Sequence, residues 1–222
     1  MSSTTPTPQA SLTERRKAET RMEIARAAAG LFVRRGLRAT RAEDIAQTAG
    51  IAPRTFYRYF ATKEEAVAPL YAAGAQRWVE AVRAAPAAVG VAQALEDGVR
   101  HTLTPGVGVS ASSWEWVRTL LRLAAANPSL RRVWAEVCQD SERMLGEALA
   151  ERVTRAGAVA RDEGDNVAAT PELRFAAAVA SAAVRTALEG WAEGDGPVEG
   201  PGSPAELALR NLAALRSFPF GA

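Results

Sequence analysis

Residues 41–66 read RAEDIAQTAGIAPRTFYRYFATKEEA, and this stretch decides the fold. Ile45, Ala49, Ile51 and Phe56 are spaced to close a small core between two short helices. Ala46 is small enough for their crossing, and Gly50 supplies the tight turn between them. Pro53 suits the first position of the second helix, where an N–H would go unsatisfied in any case. The pattern predicts a helix-turn-helix whose second helix, residues 53–60, enters a DNA major groove. That helix presents Arg54, Thr55, Tyr57, Arg58 and Tyr59, side chains that can bond phosphate and read base edges. Phe56 and Phe60 are read as core.

Outward from this stretch the chain is helical throughout. Ala-rich runs at a 3.6-residue period alternate with Gly and Pro, and no long alternating Val, Ile or Thr run predicts a sheet. A first helix is expected over residues 14–35, with Ile24, Ala28, Leu31 and Phe32 on one face and Gly36 at its end. The second helix is expected to open at Thr40, with Glu43 completing a capping box. A fourth helix is expected from about residue 62 to 85. Pro69 inside it predicts a bend, which Gly74 softens further. Further helices are expected at about 87–102, 112–126, 128–157, 171–192 and 204–217. The expected fold is all-α, in three parts. Residues 1–13 are a disordered tail, rich in Ser, Thr and Pro. Residues 14–62 are a three-helix DNA-binding domain, and residues 63–222 a larger helical regulatory and dimerisation domain.

Charge supports the division. The formal net charge is only +2. Yet residues 14–63 hold twelve Lys or Arg against five Asp or Glu, and residues 64–222 hold fifteen against twenty. A basic head on an acidic body is what a protein shows when only its head meets nucleic acid. No run of 18 residues is free of charges and turn-formers, which argues against a membrane partner. The N-terminal residues have no secretory pattern, and the single Cys138 fits a reducing compartment, so a cytoplasmic protein is expected. One His and one Cys cannot build a His/Cys zinc centre. There is no phosphate-binding glycine loop, and no residues are spaced as a nucleophilic triad. No metal, cofactor or catalytic residue is therefore assigned, and an enzyme is the least favoured class. A helical adaptor that binds protein rather than DNA stays open as an alternative.

Ile45-Ala46, Ala49-Gly50-Ile51, Thr55-Phe56-Tyr57-Arg58-Tyr59-Phe60 and Lys63-Glu64 together resemble the DNA-binding head of the tetracycline-repressor (TetR) family of bacterial regulators. The resemblance covers about residues 14–66. It implies a homodimeric, ligand-responsive transcription regulator, with repression the commoner mode, that binds a palindromic operator in double-stranded DNA. It further implies that Thr55, Tyr57, Tyr59 and Lys63 meet the phosphate backbone, with Lys63 aided by the N-terminus of the fourth helix. Arg54 and Arg58 are left to reach bases or a groove, and Thr40 and Arg41 to clamp the opposite strand. Ala52 stands where the family often has a Ser or Thr cap, which costs the recognition helix about 1 kcal/mol.

In the body, Trp78, His101, Trp114, Trp116, Leu120, Leu121 and Trp134 are candidates to line an effector pocket. The Trp content suggests an apolar or aromatic small molecule. LRLAAANPSLRRVW, residues 121–134, is loosely similar to an actinobacterial subgroup, for which an acyl thioester is a second suggestion. The last two helices are expected to form a four-helix dimer interface. Its candidates are Phe175, Ala178, Ala182, Arg185 and Leu188 on the first, and Leu209 and Leu212 on the second. Two copies would place recognition helices about 34–36 Å apart, or a multiple of that.

Overall fold

A computed structural model describes residues 11–106, 111–158 and 169–215. Among these residues every regular element is helical. The elements are α1 (Leu12–Arg35), α2 (Ala42–Thr48), α3 (Pro53–Tyr59), a 3₁₀ turn (Glu65–Val67), α4 (Ala68–Ala84), α5 (Val91–Leu103), α6 (Ala111–Ala126), α7 (Pro128–Ala158), α8 (Pro171–Glu193) and α9 (Pro204–Ala214). The expected tail at residues 1–10 lies outside the described residues, while Ser11 caps α1 by accepting the Glu14 N–H at 3.2 Å. The chain divides into two compact units, the first ending at Leu70 and the second starting at Tyr71. The division falls beyond residue 62 because the 3₁₀ turn packs on α1 and stays with the head.

In the first unit the apolar stripe of α1 is the platform. Ile24, Ala25, Ala28, Leu31 and Phe32 are buried, together with Ile45 and Ala46 of α2, Phe56 of α3, and Ala66 and Val67 of the 3₁₀ turn. Gly36, with φ +79°, ends α1, and its N–H is accepted by the Phe32 carbonyl. The segment after α3 has a reciprocal cap that the sequence analysis does not assign. Thr62 Oγ1 accepts the Glu65 N–H, and the Glu65 carboxylate accepts from Ala61 N–H and Thr62 Oγ1. The expected mid-helix bend at Pro69 is not there. Because α4 begins at Ala68, Pro69 occupies its first turn, where the missing N–H leaves no bond unmade.

In the second unit α8 is flanked by α7 and α9; α6 packs on both α7 and α8, and α5 on α9. Ala176, Ala177, Ala180 and Ala187 are buried along α8, so small side chains let its neighbours approach closely. Close approach is also enforced between α4 and α5. A Cβ on Gly98 would lie 2.9 Å from Cδ1 of Trp78, whose indole N–H meets the Leu95 carbonyl at 3.3 Å.

The C-terminal end of α4 is held by one guanidinium. Arg152 of α7 is 4% exposed and donates to the carbonyls of Val82, Ala85, Pro86 and Val89. Two of these belong to the last turn and end of α4, where carbonyls have no partner within the helix. Arg155 donates to the Arg83 carbonyl, and Arg83 pairs with Glu151 at 2.8 Å. Charged donors on neutral carbonyls contribute more than neutral pairs, and removing a buried one leaves acceptors unmet. Arg152→Met should therefore lower the unfolding free energy by about 2–4 kcal/mol. Urea titration followed by circular dichroism should show a lower midpoint at unchanged slope.

Candidate nucleic-acid interface

The α2–α3 turn is built by backbone conformation. Gly50, at φ +68°, lets the Ile51 N–H reach back to the Ala46 carbonyl at 2.9 Å while its own N–H meets the Gln47 carbonyl at 3.1 Å. These are the two bonds of a Schellman ending, and they need the left-handed conformation that glycine adopts at little cost. Ala52, with no side-chain cap, then leads into α3 at Pro53, and Phe56 is wholly buried beneath it. Arg21 of α1 fastens the other end. Its guanidinium donates to the Tyr59 carbonyl at 3.3 Å and lies 4.8 Å over the Phe60 ring.

With Phe56 turned inward, Arg54, Tyr57 and Arg58 are exposed, while Thr55 and Tyr59 are half-buried. Tyr57 is 53% exposed, although its ring meets that of Phe56 edge to face at 5.4 Å. Arg58 stacks its guanidinium 5.5 Å from the Tyr59 ring, a contact that holds a long side chain without a salt bridge. Arg41 is exposed at the start of α2, with only a 3.6 Å surface pair to Glu43.

One expected contact is corrected, and a second residue is found engaged within the head. Thr40 is fully buried, and its hydroxyl donates to the Gly36 carbonyl at 2.9 Å, so its side chain cannot clamp a DNA strand. Nor does Thr40 cap α2. Arg41 occupies that position, and its N–H is met by the Asp44 carboxylate at 2.9 Å. Lys63 does not sit at the start of α4, which lies five residues on. Its half-buried ammonium donates to the carbonyls of Leu37 and Thr40, at 2.8 and 2.7 Å. It thus ties the chain after α3 to the turn between α1 and α2.

The body candidates separate in the same way. Trp78, Trp114 and Leu120 are core, with Trp114 edge to face on Trp191 at 5.5 Å. His101 and Trp116 are exposed. Leu121 and Trp134 alone of that group line a cleft between α6, α7 and α8. Of the dimer candidates, Phe175 is exposed, and Ala178, Ala182, Arg185, Leu188 and Leu209 are half-buried. Leu212 is corrected, since it is 4% exposed within the single chain and packs inward. Arg21, Asp44, Arg152 and Glu189 are not among the residues expected from sequence. Asp44 was findable, being three residues after the true cap, whereas the other three act on partners distant in the chain. Among the described residues no group of His, Cys, Asp and Glu is placed to hold a metal ion, and no helix is long and apolar enough to cross a membrane.

Residues 24–68 match the family described as bacterial regulatory proteins, tetR family. The chain is 30% identical over 185 residues to the HTH-type transcriptional regulator TcmR of Streptomyces glaucescens, covering 81% of this chain and 76% of that protein. It is 51% identical over 47 residues to the HTH-type transcriptional repressor KstR2 of Mycobacterium tuberculosis, covering 21% of this chain and 24% of that protein. Among solved structures, Thermus thermophilus FadR, a TetR-family repressor in complex with lauroyl-CoA, aligns at TM-score 0.53 and 25% identity. That alignment spans 88% of this chain and 92% of the other.

The Lys63 tie separates two roles by salt. Each phosphate neutralised by a side chain contributes about 0.9 to the slope of log affinity against log salt. Lys63→Met should weaken DNA binding while leaving that slope unchanged within about 0.3, whereas Arg58→Ala should alter it by about 1 if Arg58 lies on a phosphate. Fluorescence anisotropy of labelled duplex across a salt series makes the measurement.

Proposed function

Because the chain belongs to the tetR family of bacterial regulatory proteins, we propose that α3 carries the operator contacts of a transcriptional regulator. Arg54, Tyr57 and Arg58 form its outer face, with Arg41, Thr55 and Tyr59 at its margins. The chain is a DNA-binding regulator and not an enzyme, as its relatives are regulators and repressors. The observation that carries the residue assignment is the alternation along α3. Phe56 is wholly buried, while Arg54, Tyr57 and Arg58 are exposed and make no hydrogen bond or ion pair among the described residues. A seven-residue helix with two free arginines and a phenol on its solvent face fits groove reading. Lys63, with two of its three protons already engaged, serves the interface by fixing the start of α2.

A single such helix reads too few bases for useful selectivity, so the working form is a homodimer on a palindromic site. The outer face of α8, from Phe175 through Ala178 and Ala182, together with Leu209 of α9, supports a helix-to-helix interface of small residues. A small molecule bound in the body releases the operator, and the regulator acts as a cytoplasmic repressor. The alternative of a protein-binding adaptor is less well supported, because it leaves the arginine-bearing face of α3 without a use.

A gel shift on the DNA upstream of the chain's own gene is expected to give salt-sensitive, sequence-selective retention. Absence of retention on every fragment would reject the regulator. Ala178→Arg should convert the dimer to monomer in sedimentation velocity and weaken operator binding at least tenfold. An unchanged sedimentation coefficient would remove α8 from the interface.

A further inference from the structure

The first two turns of α1 run clear of the head. Residues 12–19 are helical and all exposed, whereas from Ile24 onward the helix buries an apolar stripe. A short helix with nothing packed on it is marginal in water. These turns persist as an extension of the anchored part of α1, started by the Ser11 cap.

The buried stripe shows which way the extension faces. Thr13, Arg16, Lys17, Thr20 and Ile24 stand at i, i+3, i+4, i+7 and i+11, a single row along the helix. Ile24 is wholly buried and Thr20 half-buried, so the row starts as core. Past the edge of the head it turns to hydroxyls and cations, and none of its five positions is acidic.

Arg16 and Lys17 are held by nothing. Neither makes a hydrogen bond or ion pair among the described residues, although Glu19 stands three residues from Arg16. The arginines that fasten this fold behave otherwise, since Arg21, Arg122 and Arg152 each donate to main-chain carbonyls. Two cations kept free on an unpacked helix, in a unit that meets DNA, match a polyanion. Their ammonium and guanidinium groups, with the two Thr hydroxyls, donate to phosphate oxygens without reading a base.

The position of the extension supports the same partner. Lys17 stands one turn, about 6 Å, before Arg21. Arg21 donates to the carbonyl of Tyr59, the last residue of α3. The extension therefore leaves from the C-terminal end of the helix that bears Arg54, Tyr57 and Arg58. Its eight exposed residues are about 12 Å long, and a major groove is about 12 Å wide. That length carries side chains from a groove holding α3 to the phosphates at its edge.

We propose that the row formed by Thr13, Arg16, Lys17 and Thr20 is a second DNA contact, gripping phosphates beside the groove that α3 enters. It adds affinity and leaves sequence choice to α3. The inference rests on the α3 reading for its place on the duplex, and the experiment separates the two.

The intact chain and its variants are titrated against the operator duplex and an unrelated duplex across a salt series. Arg16→Gln/Lys17→Gln should weaken both at least fivefold, with the ratio between them kept within twofold. The salt slope should fall by about 2 for each protomer bound, as two phosphates are released. Arg15→Gln/Arg26→Gln removes the same charge from another face of α1, where both residues are exposed. Its slope should stay within about 0.3 of the parent's. Glutamine keeps helix propensity, and equal circular dichroism checks that α1 is intact. Ethylation interference should show the Arg16/Lys17 variant losing phosphates other than those lost by Arg58→Ala.

An unchanged slope in Arg16→Gln/Lys17→Gln, or an equal fall in both double variants, overturns the contact and leaves α3 untouched. Loss of the same phosphates as in Arg58→Ala overturns its placement beside the groove. Failure of the parent to retain any duplex overturns the α3 reading, and this contact with it.

Discussion

A helix of seven residues does not persist in water on its own side chains, because nucleation fixes more backbone than its few bonds return. Both α2 and α3 are of that length. The exposed face of α3 therefore holds its shape only because Phe56 and Phe60 are buried beneath it and because the ends of the short helices are tied from outside. Gly50 supplies one tie through backbone conformation, Arg21 a second at the Tyr59 carbonyl, and Lys63 a third through the carbonyls of Leu37 and Thr40. Each acts on main-chain oxygens or on the turn itself, so the orientation of α3 is set without calling on its outer face.

That division explains what was legible in the sequence. The crossing of α2 and α3 follows from local spacing, since Ala46, Gly50 and Phe56 lie within ten residues of one another and each has a local steric reason for its place. The exposed set on α3 is legible for the same reason. The place of Thr40 is not, because a hydroxyl looks equally suited to phosphate and to a nearby carbonyl, and only the folded α1–α2 turn decides. Pro69 differs from expectation through a helix boundary. A proline inside a helix bends it, whereas one in the first turn does not, and the 3₁₀ turn ahead of α4 is invisible to a period of 3.6. The tryptophans show the opposite limit. Whether one faces core, cleft or solvent depends on which helices meet: Trp116 is exposed, and only Trp134 lies on the cleft.

The body repeats the head's use of cations on carbonyls, at larger scale. Arg152 gathers four carbonyls where α4 ends, and Arg122 gathers those of Ala192 and Gly194 where α8 ends. Arg118 lies 4.1 Å over the Trp191 ring and also donates to the Gly196 carbonyl. A guanidinium's planar fork can serve several acceptors at a helix end, which a lysine's compact charge does less well. This gives a structural use to part of a cation complement that is almost all arginine, 25 of 27 residues. It also warns against reading every arginine here as a ligand for nucleic acid.

The exposed face of α3 has a consequence for descent. Arg54, Tyr57 and Arg58 carry little of the packing or tying that keeps the head folded, so substitutions there are nearly neutral for stability. With the operator contacts on α3 as proposed, lineages can thus exchange these side chains freely and acquire new operators without a compensating change in Phe56, Gly50 or Lys63. Gene duplication followed by drift on this one face is enough to produce a second regulator with the same scaffold and a different target.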